Sequence, residues 1–348
     1  MVASGVYLAF ACLATTPSMS FLLTLSAAGL WGEQAALLVL HKGASSLGFY
    51  TAEGKMLFTS PTGEHPHEIV LSPDGRYAYT TDNGTMRIEQ PGAGNNTVSV
   101  IDLEKHERAA QIQLGNFRRP HGIDYNFATN RLAVSCEMPD QLLLINPAAR
   151  RIIRTIDTKG RTSHMVRFRP DGKWAYVSNS TSSNISAIDL ESGAVKLIPA
   201  GERPEGSVAS PDGRFVYVCN RESARITIVD TQKQEAVGNI PTGKGPVRVD
   251  ITPDGKLLAI ALMHDRQMAF ADTSARSVIG KVEIGGPPVS IHLSRDGTLA
   301  FAATEDDDTV YVVSVRQQKL LRQFVVSKGF APDPVLPFGR LFPAAFTR

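Results

Sequence analysis

Cysteine is scarce: the 348 residues hold three, at positions 12, 136 and 219. A disulfide framework is thereby excluded as the source of stability, and with no CxxC or CxxCH spacing neither a zinc ribbon nor a covalent c-type haem has a place. Also missing are a GxSxG elbow, a GxGxxG turn, a GxxxxGK[ST] loop and an HExxH pair. Serine-hydrolase, dinucleotide, P-loop and zincin chemistry therefore have no sequence support. Net charge is nearly absent too, since Lys+Arg 36 against Asp+Glu 34 leaves +2. No global field draws the chain to nucleic acid or an anionic membrane.

In the first 32 residues charged side chains are lacking altogether, and the apolar runs VYLAFACLA and FLLTLSAAGL are followed by small residues at Ser26, Ala27 and Ala28. This stretch reads as an export signal over residues 1–28, either cleaved or kept as an N-terminal anchor, because about 20 apolar residues can span a bilayer. The expected location is periplasmic or secreted, with no membrane contact beyond such an anchor. Cys12 follows LAFA, a poor lipoprotein box, so lipidation is not expected. Cys136 and Cys219 read as the same register of two repeats, RLAVSCEM and FVYVCNRE. Two half-buried free thiols are expected there.

What is present is a repeat. PHEIVLSPDGRYAYTTDN from Pro66, PHGIDYNFATNRLAVSCEM from Pro120, SHMVRFRPDGKWAYVSNS from Ser163, PEGSVASPDGRFVYVCNR from Pro204, PVRVDITPDGKLLAIALM from Pro246 and PVSIHLSRDGTLAFAATE from Pro288 recur every 42 residues or so, a period of about 40–50 residues being that of propeller blades. Each phrase holds two alternating runs joined by a turn, usually Asp-Gly. A third run (NTVSVIDL, QLLLINP, NISAIDL, RITIVDT, QMAFADT, TVYVVSV) and a fourth ending near Gly follow. Period-2 alternation with Val/Ile/Tyr enrichment specifies four antiparallel strands per unit. Six units run from Pro66 to Ser327. A seventh is split: LLVLHKG, SLGFYTA and KMLFTSPTG supply its second to fourth strands, and PDPVLPF from Pro332 supplies its first. Pairing the two removes the edges an open array would expose. The expected fold is an all-β, seven-bladed β-propeller over residues 36–340, a closed ring needing no partner and hence a monomer, with a tail at 341–348.

The units YVSNSTSSNISAIDLESGAVKLIPAGERPEGSVASPDG and YVCNRESARITIVDTQKQEAVGNIPTGKGPVRVDITPDG resemble the YVTN repeats of YncE-like β-propellers. The resemblance implies the fold, but a function drawn from a wide range that includes surface-layer proteins, periplasmic binding proteins, lactonase-like enzymes and redox domains. It would also allow single-stranded nucleic acid. That partner is not expected, because Tyr77, Trp174, Phe215 and Phe301 fall in strand-core registers and leave no stacking platform.

In a propeller the first strand lines the axis. The residue after the repeated Pro, or its equivalent, is His67, His121, His164, Glu205, Val247, Val289 and Asp333. The expected metal ligands are therefore His67, His121, His164, Glu205 and Asp333, for one transition ion such as Zn, Cu or Fe, with His121, His164 and Glu205 as catalytic candidates. The end of the second strand supplies a second circle, His41, Asp82, Glu137, Asn179 and Asn220, expected to orient those ligands from outside, with His264 and Glu305 nearby. Basic residues gather on the same side: Lys42, Arg118, Arg161, Lys244 and Arg248, together with Arg119, Arg203 and Arg221, which are the candidates to hold a substrate anion. The insert from Asn83 to Asn96 leaves the second strand of blade one, where it could overhang the mouth. His65 is expected to face solvent, and His106 and His292 to be structural. Two functions follow: a metal or small-anion site that hydrolyses a lactone-like substrate or performs metal-dependent oxidation, or a non-catalytic scaffold for an envelope protein.

Overall fold

Asp-Gly turns close the inner hairpins of the computed structural model, which describes residues 34–338. In blade one Ser72 Oγ donates to Asp74 Oδ1 at 2.5 Å and accepts the Tyr77 N–H at 2.9 Å, while Gly75 takes the left-handed backbone (φ 68°) that a side chain would disfavour. Blade two, with NFATN instead, puts Asn130 in the left-handed region and caps the turn with Asn126. The stretch read as an export signal, Cys12 and the expected tail at 341–348 lie outside the described residues. Among the described residues no helix is long and apolar enough to cross a membrane.

Twenty-eight strands form seven four-stranded antiparallel sheets. Six are consecutive in sequence. The seventh joins Pro332–Pro337 to Leu37–His41, Ser46–Tyr50 and Met56–Pro61, with Leu38 opposite Leu336 and Val39 opposite Val335. The ring is thus sealed by its two ends, as the sequence implies. Seven apolar clusters follow, one in each gap between neighbouring blades; Val208, Tyr217 and Ile226 of blade four, for example, pack on Val249, Ile251 and Leu258 of blade five. Each blade buries its faces against its neighbours, and the core is a ring of interfaces.

The innermost strands share one irregularity that positions everything at the mouth. In all seven blades the pairing slips directly after the Pro position, as between Pro66↔Asp82 and Ile69↔Thr80, or Pro120↔Cys136 and Ile123↔Val134. Such a bulge sets two residues against one and re-aims the side chains beside it. The residue before it is left-handed in six blades: His65, Arg119, Thr162, Arg203, Gly245 and Ala331.

Pairing also corrects the second circle. Asp82, Cys136, Asn179, Asn220, Leu262, Thr304 and His41 stand opposite the Pro positions. Glu137 is one residue further on, so it belongs with Lys42, Asn83, Ser180, Arg221, Met263 and Glu305. Successive residues of a strand face opposite ways, so a one-residue error moves a side chain to the other face. Cys136 therefore matches Asn220 and not Cys219: it lies 16 residues after Pro120, as Asn220 does after Pro204, whereas Cys219 lies 15; both thiols are free and buried.

His41, Asp82, Asn179 and Asn220 accordingly do not orient rim ligands; they pin each second strand to its neighbours. Asp82 accepts Gly63 N–H (3.0 Å), Thr97 Oγ1 (2.6 Å) and Ser99 Oγ (2.8 Å). Asn220 accepts Gly201 N–H and donates to Thr227 Oγ1, both at 2.9 Å; Asn179 donates to Ser186 Oγ at 2.7 Å. His41 contacts Ser46 Oγ and Tyr50 Oη, and burial drives its imidazole down to about 3.

Asp82 alone does this job with a charge. Burial pushes it from 3.8 to about 6, against the hydrogen bonds it accepts. Its folded-state value lies above the unfolded one, so the folded chain holds more protons between those values and stability falls as pH rises from about 4 to about 6. At neutral pH the buried charge costs about 3 kcal/mol, which is 2.2 pH units at 1.36 kcal/mol each. Asp82→Asn, which copies blades three and four, is expected to melt higher at pH 7 and to lose this part of the pH slope. A variant that melts lower than the parent at pH 7 would contradict this account.

Candidate metal centre

Blades one to four bring their bulge residues together on one side of the axis. The His67 and His121 rings meet edge to face with centroids 4.5 Å apart, and His121 and His164 lie 3.6 Å apart at 36°. Glu137 enters from the end of the second strand of blade two: its Oε1 is 3.4 Å from His121 Nδ1 and 3.6 Å from His164 Nδ1. These separations exceed a hydrogen bond of about 2.7–3.2 Å. They match the spacing of about 3.4 Å between two ligand atoms each about 2.1 Å from a tetrahedral ion. One donor atom from each of His121, Glu137 and His164 lies within 4.8 Å of the others, and all three residues are buried.

Both ring nitrogens of His121, Nδ1 of His164, Nδ1 of His67 and Oε1 of Glu137 are buried without a hydrogen-bond partner. Native interiors rarely leave one such atom unpaired, and here Nδ1 of His121 and Nδ1 of His164 both lie within 3.6 Å of Glu137 Oε1. The donor set, imidazole with carboxylate, suits a borderline transition ion.

Electrostatics point the same way. Burial, with Lys42, Arg248 and the other imidazoles adding repulsion, holds His67, His121 and His164 well below the usual histidine range, so all three are neutral donors. Burial lifts Glu137 to about 8; Arg119 opposes the rise while Asp140 and Glu205 add to it. Arg119 Nε lies 2.8 Å from Glu137 Oε2 but is not aligned as a hydrogen bond, so the contact is one of charge and does not cancel burial.

Other expected residues fall further out. Glu205 Oε2 is 3.8 Å from His164 Nε2, and Glu205 is shared with Arg221 (3.1 Å) and Arg248 (3.9 Å). Asp333 stands outside the His121–Glu137–His164 group, 3.4 Å from Lys42 Nζ, whose closer partner is Glu305 at 2.7 Å. His67 spends Nε2 on the Thr85 carbonyl at 2.7 Å. His65 turns to the Lys42 carbonyl, His106 stacks on Phe58, and His292 is half-buried in the innermost strand of blade six. Sequence reasoning missed Ser180, whose buried Oγ has no partner, and placed Glu137 one shell too far out. Counting from the Pro was the available signal: Glu137 lies 17 residues after Pro120, as Arg221 does after Pro204 and Asn83 after Pro66.

A family model described as "Lactonase, 7-bladed beta-propeller" matches residues 160–277, which include His164, Glu205, Arg221 and Arg248 but not His67, His121 or Glu137. No curated protein matches the chain. Among solved structures, a chain of Kuenenia stuttgartiensis hydrazine synthase is 20% identical with a TM-score of 0.67, aligned over 84% of this chain and 99% of that one. A functionally unknown protein from Desulfotomaculum acetoxidans DSM 771 is 14% identical with a TM-score of 0.74, over 87% and 99%. The family model covers about a third of the chain, and at such identities the structural likenesses speak for the seven-bladed fold alone.

Proposed function

We propose that this chain is an exported propeller of the YVTN type that holds one transition ion on His121, Glu137 and His164 and hydrolyses a small lactone or related ester there. The observation that carries the reading is the approach of three unpartnered buried atoms, His121 Nδ1, His164 Nδ1 and Glu137 Oε1. The lactonase-type match over blades three to five supports the reaction class.

A Zn, Cu or Fe ion at such donors supplies Lewis acidity and lowers the pKa of water. The chain's own residues supply the rest. Neutral His121 and His164 present lone pairs, and Glu137 brings the compensating charge, held from behind by Arg119. Glu205, raised above the usual carboxylate range by burial although Arg221 and Arg248 oppose the rise, is the group placed to hold and pass a proton beside His164.

The test is elemental analysis of untagged protein, followed by turnover of aliphatic γ- and δ-lactones. The expected result is one transition ion per chain, loss of hydrolysis in chelator and recovery on adding the metal back. A reconstituted protein with no bound metal would overturn the reading.

A further inference from the structure

In blades three to seven the link between second and third strands is four residues: 180–183, 221–224, 263–266, 305–308 and 42–45. In blade one it is fourteen, 83–96. Its base is closed by the Asn95 N–H to the Asn83 carbonyl. Its tip does not stay over blade one. Glu89 Oε1 receives Arg203 Nη2 at 2.5 Å and Arg221 Nη2 at 3.0 Å, both from blade four, and Arg87 lies 3.6 Å from Asp306 of blade six. Blade four stands three places round the seven-membered ring from blade one, and blade six two places round the other way. The insert therefore crosses the mouth directly above the histidines.

It is tied to the site beneath it. Arg119 Nη2 donates to the Ile88 carbonyl (2.8 Å) and Nη1 to that of Gln90 (3.2 Å), while the Nε of the same guanidinium touches Glu137; His67 is engaged by Thr85.

The Glu89 contact is poorly matched. Two guanidiniums, each able to grip both oxygens of a carboxylate, share one oxygen atom. Arg203 Nε is buried with no partner. Glu89 is more than half exposed, and ion pairs that exposed add little to stability, so the fold does not depend on this link. Arg221 continues inward: its Nη1 is 3.1 Å from Glu205, which adjoins His164.

We propose that Arg203 and Arg221 form a carboxylate subsite at the mouth of the well, with Glu89 occupying it as a tethered stand-in for the carboxylate of the small-molecule ligand, whose arrival releases the insert. This deepens the reading of the well as a ligand site but does not depend on its metal. A tethered group competes at an effective concentration in the millimolar range, so removing it should raise the affinity for a free carboxylate at least tenfold.

The experiment uses the full chain treated with chelator, with succinate as probe and the neutral succinamide as control. Binding is measured by calorimetry, and insert opening by the rate of tryptic cleavage after Arg87, mapped by mass spectrometry. Glu89→Gln is expected to bind succinate at least tenfold more tightly than the parent and to be cut faster without ligand. Succinate, but not succinamide, should speed cleavage of the parent. Glu89→Gln/Arg203→Gln should lose the gain in affinity while melting within a few degrees of the parent. Unchanged succinate affinity in Glu89→Gln, no succinate binding by either protein, or a gain that survives loss of Arg203 each overturns the proposal. Because every arm is metal-free, a propeller without a metal centre would still pass, and a metalloprotein without the subsite would fail.

Discussion

Glu137→Ala should abolish transition-metal binding if the proposed centre is right. Glu137 is the only carboxylate within reach of both His121 Nδ1 and His164 Nδ1, at 3.4 and 3.6 Å, among the described residues. Without it two stacked neutral imidazoles remain, with no charge to balance a divalent ion. Loss of a residue that merely orients a ligand lowers metal affinity about 10–100-fold, and loss of a ligand exceeds that range. Arg119→Ala is thus expected to weaken cobalt(II) or zinc(II) binding about 10–100-fold and Glu137→Ala by more, each measured by competition with a chromophoric chelator. Asp333→Asn, whose partner is Lys42, should leave affinity unchanged. If Glu137→Ala kept tight, stoichiometric binding, the centre would lie elsewhere in the well.

The second large effect concerns stability. Arg248 reaches from blade five across the axis to Glu68 of blade one, with Nη2 and Nε at 2.9 and 3.1 Å from Glu68 Oε1, and flanks Glu205 at 3.9 Å. All three side chains are buried. Removing one partner of such a group strands the other charges in a medium that solvates them poorly, at a cost of about 3–5 kcal/mol. Arg248→Met is therefore expected to lower the melting temperature by roughly 5–15 °C. Neutralising the stranded carboxylate in Arg248→Met/Glu68→Gln should recover half or more of that loss. A single variant that melts within a degree of the parent would show that water reaches Glu68 and that the axis is not dry.

The architecture was legible because it is written seven times. Alternation, Asp-Gly turns and a constant period each point to the same four-stranded unit, and the split blade followed from counting strands at the two ends. The candidate site was legible only as an address: the position after the Pro was known to face the axis, and His67, His121 and His164 were found there. Depth and parity were not. A bulge recurring at one place in every blade leaves no residue type behind it, and with no SPDG in blade two to align on, Cys136 reads as the match of Cys219, which lies 15 residues after its Pro instead of 16. Hence Asp82, Asn179 and Asn220 looked like supports of the rim, whereas they bind loops such as that of Gly63 and Gly201. The bridge from Glu89 to Arg203 and Arg221 spans more than a hundred residues of chain and has no motif at all.

The sealed ring has a consequence in time. Leu37–His41 is among the first segments of the propeller to be synthesised, yet its inner partner, Pro332–Pro337, is the last strand of the ring. Until residue 337 has been made, the closing blade lacks its axial strand, and Val39 and Leu37 lack the cover that Val335 and Pro337 give them. A growing chain is therefore unable to lock shut, and the circle becomes permanent only once its last strand has been made.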